Sequence, residues 1–249
     1  MRKIIILLLS VSISISIFGI GPKKIIIVID PGHGGTNGQD NGGVVSFDHK
    51  KYYESGYNYD VSLRLEKLLR DSGYTVLKTV ENSKRKISNK EFLSRNASAI
   101  FTFDKTKVTS DSIGLSKRTS YINSFYVNHQ NVKVVFLAIH FDEIDPIYFG
   151  TRFIKNKDSY FLKVLESSFK EVNLISNHPL FEITNGDKKT YGRNIFVLMD
   201  KNNKANIKIL IELGNLNSPN DLRRAKDAKF RQRYAYLIFK AIKNYQFLE

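Results

Sequence analysis

The chain has 249 residues, 42% hydrophobic and 12% aromatic, enough apolar material for one substantial core, which excludes a compositionally disordered protein. It contains no cysteine, so disulfides, thiolate nucleophiles and cysteine-held metals are excluded, and any metal must be held by His, Asp or Glu. Lys and Arg outnumber Asp and Glu by 39 to 24, a net charge of +15. These cations are scattered singly and form no recognisable nucleic-acid module, so an anionic wall or membrane surface is the expected partner and nucleic acid is not.

In chain order, residues 1–22 come first. "MRKIIILLLSVSISISIFGIG" has a basic start and an apolar, serine-alternating run from Ile4 to Ile20, the pattern of a secretory signal. Pro22 follows Gly21 directly and makes a poor cleavage region. Export with cleavage is the favoured expectation and an uncleaved membrane anchor the alternative. Either way residues 23–249 form the folded part and face outward, in the periplasm or cell envelope.

"KIIIVID" (24–30) is continuously apolar and predicts a strand buried on both faces. "YNYDVSLRLEKLLRDSG" predicts a helix with Val61, Leu65, Leu68 and Leu69 on one face and Gly73 closing it. "YTVLKTV" predicts a second strand. Residues 81–112 read as an insertion with a short helix and a hairpin strand. "GLSKRTSYINSFYVNH" (114–129) predicts a helix, "VKVVFLAIH" (132–140) another buried strand, "YFGTRFIKN" an edge strand and "SYFLKVLESSFKEV" an amphipathic helix. "NIFVLM" and "IKILIEL" (207–213) predict the last strands. A single long helix from Ser218 closes the chain, with Ser218 as its N-cap, Pro219 at the first helical position and Asp221 at the third. The expected fold is therefore a single α/β domain, a mostly parallel twisted sheet with helices on both faces.

In such sheets ligands bind beyond the C-terminal ends of the strands. That edge receives His33 from "IDPGHGG", His140 from "VVFLAIH" and Glu212 from "IKILIE". Singly, each has an ordinary reading: a turn histidine, a strand-end histidine bonded to backbone. Glu54 alone reads as a solvated acid near a helix N-terminus. Glu212 is different, because a buried carboxylate must be paired, protonated or bound to a metal. Together, two imidazoles with one or two carboxylates match a catalytic zinc site with an open position for water.

These motifs in this order resemble the zinc-dependent N-acetylmuramoyl-L-alanine amidases, bacterial cell-wall hydrolases, from about Lys24 to Tyr245. The resemblance implies one zinc ion held by His33, Glu54 and His140, with Glu212 as catalytic acid/base. It implies a peptidoglycan substrate, cut between N-acetylmuramic acid and L-alanine, and allows for a protein activator. Arg118 and Asn123 fall where the family has an Arg and an Asn on a helix and are expected as substrate contacts. The chain departs from the family pattern after His140, with Phe141 and Asp142, and again at Asn215, Asn217 and Ser218. A zinc carboxypeptidase-like enzyme cutting within the stem peptide, or a non-catalytic peptidoglycan-binding protein, are the competing readings. Among other candidates, His49 reads as surface, and His129 and His178 as helix-terminal and loop residues. Tyr52, Tyr53, Tyr57 and Tyr59 read as core and rim packing rather than a glycan groove, and the "NAS" at Asn96 as an unused glycosylation pattern.

Overall fold

The computed structural model describes residues 25–35, 43–109, 112–128, 132–155, 159–175, 195–198 and 201–246. The N-terminal segment, His129 and His178 lie outside the described residues. A five-stranded sheet organises the molecule, made of β1 (Ile25–Pro31), β4 (Thr75–Lys78), β7 (Lys133–Asp142), β8 (Arg152–Lys155) and β9 (Ile207–Asn215) in the order β4-β1-β7-β9-β8. The β1–β4, β1–β7 and β7–β9 pairs are parallel, and β8 runs antiparallel along the edge. All seven residues of β1 are buried, as its unbroken apolar run requires of a strand covered on both faces.

Alternation along β1 divides the core in two. Ile25, Ile27 and Ile29 pack with α1 (Glu54–Asp71), α3 (Tyr160–Lys170), α4 (Pro219–Lys226) and α5 (Ala228–Gln246). Ile26 and Val28 face the other way, onto α2 (Ser112–Asn128) and a 3-10 turn at Phe196–Leu198. Val61, Leu65 and Leu69 of α1 are fully buried, and the helix ends where Gly73 takes a left-handed φ of 84°.

Four elements differ from expectation. A hairpin, β2 (Val44–Phe47) and β3 (Lys50–Tyr53), precedes α1. Its turn residues Asp48 and His49 both adopt left-handed φ, the requirement of a tight two-residue hairpin, but neither is the glycine that would announce it. His49 is exposed at its tip. Residues 81–109 hold no helix; β5 (Val80–Glu81) pairs with β6 (Ile100–Phe101), and the remainder runs as irregular backbone. Its carbonyls find guanidinium partners instead of helical ones: Arg231 donates to Ser88 and Lys90, and Arg64 to Ser88.

Of the apolar run expected as a strand, the described residues 195–198 hold a 3-10 turn at Phe196–Leu198, closed by Leu198 N–H donating to the Ile195 carbonyl at 2.9 Å. Short apolar runs do not distinguish the two. The closing helix breaks at Asp227, whose ψ of 116° is extended. Arg231 donates to the carbonyls of Ala225 and Lys226 at the end of α4, and the Asp227 carboxylate accepts from Lys229 N–H at the start of α5. At the start of α4 the Ser218 hydroxyl makes no cap bond. Asp221 instead accepts from the N–H groups of Gly150 and Asn215, tying the helix to the sheet edge.

Candidate active site

The C-terminal edge of the sheet gathers the four side chains singled out from sequence. His33 sits two residues past β1 in a loop where His33, Gly34 and Gly35 all have positive φ, at 60°, 123° and 103°. A left-handed histidine is uncommon, so the surroundings must hold it there. Gly32 N–H donates to Ile139 O at 2.9 Å and Gly35 N–H to Asn96 O at 3.0 Å. From α2, Arg118 donates to the carbonyls of Pro31 (3.0 Å) and His33 (3.3 Å) and to the Asp30 carboxylate. Gly32 is required for a separate reason: a Cβ there would fall inside the His140 imidazole.

Glu54 opens α1 directly after the hairpin and is 2% exposed. Its Oε2 accepts from Gly43 N–H (2.8 Å), and its Oε1 from Asn58 Nδ2 (2.9 Å) and Phe141 N–H (3.1 Å). Asn58, one helical turn on, also donates to the Gly32 carbonyl at 3.2 Å. His33 Nε2 lies 3.2 Å from Glu54 Oε2, and His140 Nδ1 lies 3.2 Å from Glu54 Oε1. The two imidazoles meet edge-on, 5.0 Å between ring centres. Burial opposes ionisation of Glu54, but the two histidines and the Asn58 amide outweigh it and hold its pKa at about 2.

One ligand atom from each of His33, Glu54 and His140 falls within 4.8 Å of the other two. A tetrahedral zinc with bonds of about 2.1 Å sets its ligand atoms about 3.4 Å apart. The 3.2 Å spacings between the Glu54 oxygens and the two imidazoles are close to that, and the donor set of two nitrogens and one oxygen suits the ion. The residues present fit a zinc.

Glu212 pairs with His140 across β7 and β9, and with Arg152 across β8 and β9. Its Oε2 is buried and has no hydrogen-bond partner. Burial, then the charges of Asp142 and Glu54, push its pKa well above the usual carboxylate range. Asp142, two residues beyond His140, pairs with Arg152, and burial raises its pKa as well.

Arg118 and Asn123 both lie on α2, and each has hydrogen-bond partners within the protein. Arg118 is 3% exposed and its guanidinium donates to Asp30, Pro31 and His33, so it supports the histidine loop from behind. Asn123 uses both ends of its amide on the chain after the 3-10 turn, donating to Asn202 O and accepting from Lys204 N–H, each at 2.8 Å. Tyr52, Tyr57 and Tyr59 are core residues; the Tyr57 hydroxyl donates to Glu91 O and the Tyr59 hydroxyl accepts from Asn82 N–H. Asn96 is fully buried. Sequence reasoning passed over Asn58, although its position four residues after Glu54 puts it on the same helical face. It also passed over the Asp142–Arg152 pair, for which only the tertiary fold gives a signal.

A profile of the N-acetylmuramoyl-L-alanine amidase family matches residues 27–244. Among solved structures, the chain is similar to the CwlD amidase of Clostridioides difficile in complex with the GerS lipoprotein, with a TM-score of 0.61 and 19% identity, over 90% of this chain and 99% of that one. It is also similar to the N-acetylmuramyl-L-alanine amidase Ami1 of Mycobacterium smegmatis, with a TM-score of 0.61 and 17% identity, over 92% and 99%. A third is the catalytic domain of CwlV from Paenibacillus polymyxa, with a TM-score of 0.57 and 20% identity, over 90% and 99%. No curated protein matches the chain significantly.

Proposed function

The chain belongs to the N-acetylmuramoyl-L-alanine amidase family, and from that premise we propose that His33, Glu54 and His140 hold one catalytic zinc while Glu212 moves the protons of the reaction. The enzyme hydrolyses the amide between N-acetylmuramic acid and the L-alanine of the peptidoglycan stem. The observation that carries the site assignment is the convergence of a two-histidine, one-carboxylate donor set with a buried, unpartnered Glu212 oxygen at one strand edge.

Zinc bound there supplies Lewis acidity, polarising a carbonyl and lowering the pKa of water to about 7. Glu54, fixed by three hydrogen bonds, keeps its charge and its orientation. Gly32 leaves the room that the His140 ring occupies. Glu212, with Oε2 uncommitted, takes the proton of the attacking water and returns it to the departing amine, without which an amide does not cleave.

Export to the cell envelope follows from the basic, apolar N-terminus and from where peptidoglycan lies. Among the described residues no helix is long and apolar enough to cross a membrane. A protein activator is proposed as well, supported by the fold relative whose structure is in complex with a lipoprotein.

Mass spectrometry of defined muropeptides incubated with zinc-loaded protein tests the reading. Release of an intact stem peptide beginning at L-alanine, with the muramic-acid sugar left behind, is the expected result. Fragments cut inside the stem would replace the amidase with a peptidase. Bound zinc with no product, even with added cell-envelope extract, would leave only a binding role.

A further inference from the structure

Gly43, the residue before β2, is met by two carboxyl groups. Glu54 takes its N–H at 2.8 Å, and the Gly43 carbonyl accepts from the Glu54 N–H, also at 2.8 Å. The second acid is Glu143, one residue past β7. A Cβ on Gly43 would fall inside the Glu143 carboxyl group, so that group is seated on the bare α-carbon of the glycine. The Gly43 backbone is not left-handed and does not itself call for glycine; the Glu143 carboxyl is the nearest obstacle to a side chain there.

Strand pairing carries the contact one residue further. Gly43 and Glu54 stand at a hydrogen-bonded position, so the next pair, Val44 with Tyr53, is a non-hydrogen-bonded one, and the Val44 N–H points away from β3. Burial and the Glu54 charge raise the Glu143 pKa, while that N–H and His33 draw it back. The chain leaving β7 therefore reaches the ligand set twice, directly through His140 and again through the glycine that Glu54 holds. We propose that Glu143 is a positioning residue for Glu54. Seated on Gly43, it fixes the peptide groups that orient the Glu54 carboxylate, and so sets how tightly the metal is held. The proposal rests on the ligand set given above.

Glu143 is exposed, so its loss costs the fold little. Glu143→Ala should weaken zinc affinity by about 10- to 100-fold, with the thermal midpoint of the metal-free protein unchanged. Glu143→Gln keeps the shape and an acceptor, and should hold zinc nearly as the parent does. Gly43→Ala evicts the carboxyl by filling its seat, and the displaced group is the far end of a flexible side chain, so the backbone need not move. Zinc affinity should fall there as in Glu143→Ala. Adding Gly43→Ala to Glu143→Ala should bring no further loss, because both remove one contact.

The experiment is zinc competition with a fluorescent chelator on the full chain and each variant, with hydrogen exchange at the Gly43 amide followed in metal-free protein. Exchange should quicken in Glu143→Ala and Gly43→Ala but not in Glu143→Gln. Parental affinity or unchanged exchange in Glu143→Ala overturns the proposal, as do additive losses in the double variant. Glu143→Gln as weak as Glu143→Ala also overturns it, by making charge rather than the seated shape the active feature. Should Gly43→Ala fail to fold, the two substitutions at Glu143 decide. His33→Ala is run alongside. Zinc held there as tightly as in the parent would remove the ligand assignment itself, an outcome separate from the ranking of the Glu143 variants.

Discussion

Burial and the Asp142 and Glu54 carboxylates raise the Glu212 pKa, so the folded, metal-free chain holds a proton that the unfolded chain releases near the ordinary value of 4.5. Folding is then favoured by this group below that value, and the contribution is lost as pH rises toward the raised folded pKa. Glu212→Gln removes this penalty. In urea unfolding of chelator-treated protein, the variant should gain on the parent steadily as pH climbs above about 4.5, and a pH-independent difference would contradict the burial assignment. With zinc restored, the same variant should keep its metal and lose about 10²- to 10⁴-fold in kcat. Arg118 acts one step further out, through the Pro31 and His33 carbonyls and Asp30. Arg118→Met should weaken zinc affinity by about 10- to 100-fold, read by competition with a fluorescent chelator. An unchanged affinity would make the residue ordinary core support.

Among the elements, residues 82–109 touch both ligand-bearing pieces of chain. The Asn96 carbonyl receives Gly35 N–H, and its own N–H reaches the Ser55 hydroxyl beside Glu54. The segment is held from behind by Arg231, which is fully buried, pairs with Asp60 and takes the carbonyls of Ser88 and Lys90. Arg231→Leu should cost about 3–5 kcal/mol by urea unfolding; a loss below about 1 kcal/mol would mean that Arg64 already satisfies Asp60 alone. This part of the structure was the least legible in the sequence. β1, β7 and β9 declare themselves as unbroken apolar runs, and α1 by its spacing of Val61, Leu65, Leu68 and Leu69, because burial dictates those patterns directly. The metal-ligating candidates follow, since they end such runs or, in Glu54, precede such a helix. Irregular backbone stabilised by remote guanidinium groups leaves no local pattern. Neither does the Asp48–His49 turn, nor the break at Asp227, whose cause lies four residues downstream in Arg231. Arg118 and Asn123 were assigned a helix correctly, but their partners within the protein were not legible, because residue identity does not tell which way a polar side chain points.

Over the whole molecule, a mostly parallel sheet, with β8 antiparallel at its edge, delivers chemistry to a single edge, and the chain carries a net charge of +15. Retention on an anionic wall should therefore rest on long-range attraction, screened within about 10 Å at 0.1 M salt and about 3 Å at 1 M. Sedimentation with isolated cell walls should show binding falling steeply over that range, while kcat on small soluble muropeptides changes little; salt-insensitive retention would point to a specific docking contact. The hairpin before α1 extends this picture. Glu54 is bound to Gly43 twice, its N–H to the glycine carbonyl and its carboxylate to the glycine N–H. The proposed metal ligand is thus also the clasp that fastens the two ends of its own hairpin. Occupancy of the site and order in the hairpin are two readings of one equilibrium, and whatever draws the Glu54 carboxylate toward a cation or releases it is felt along the whole of β2 and β3.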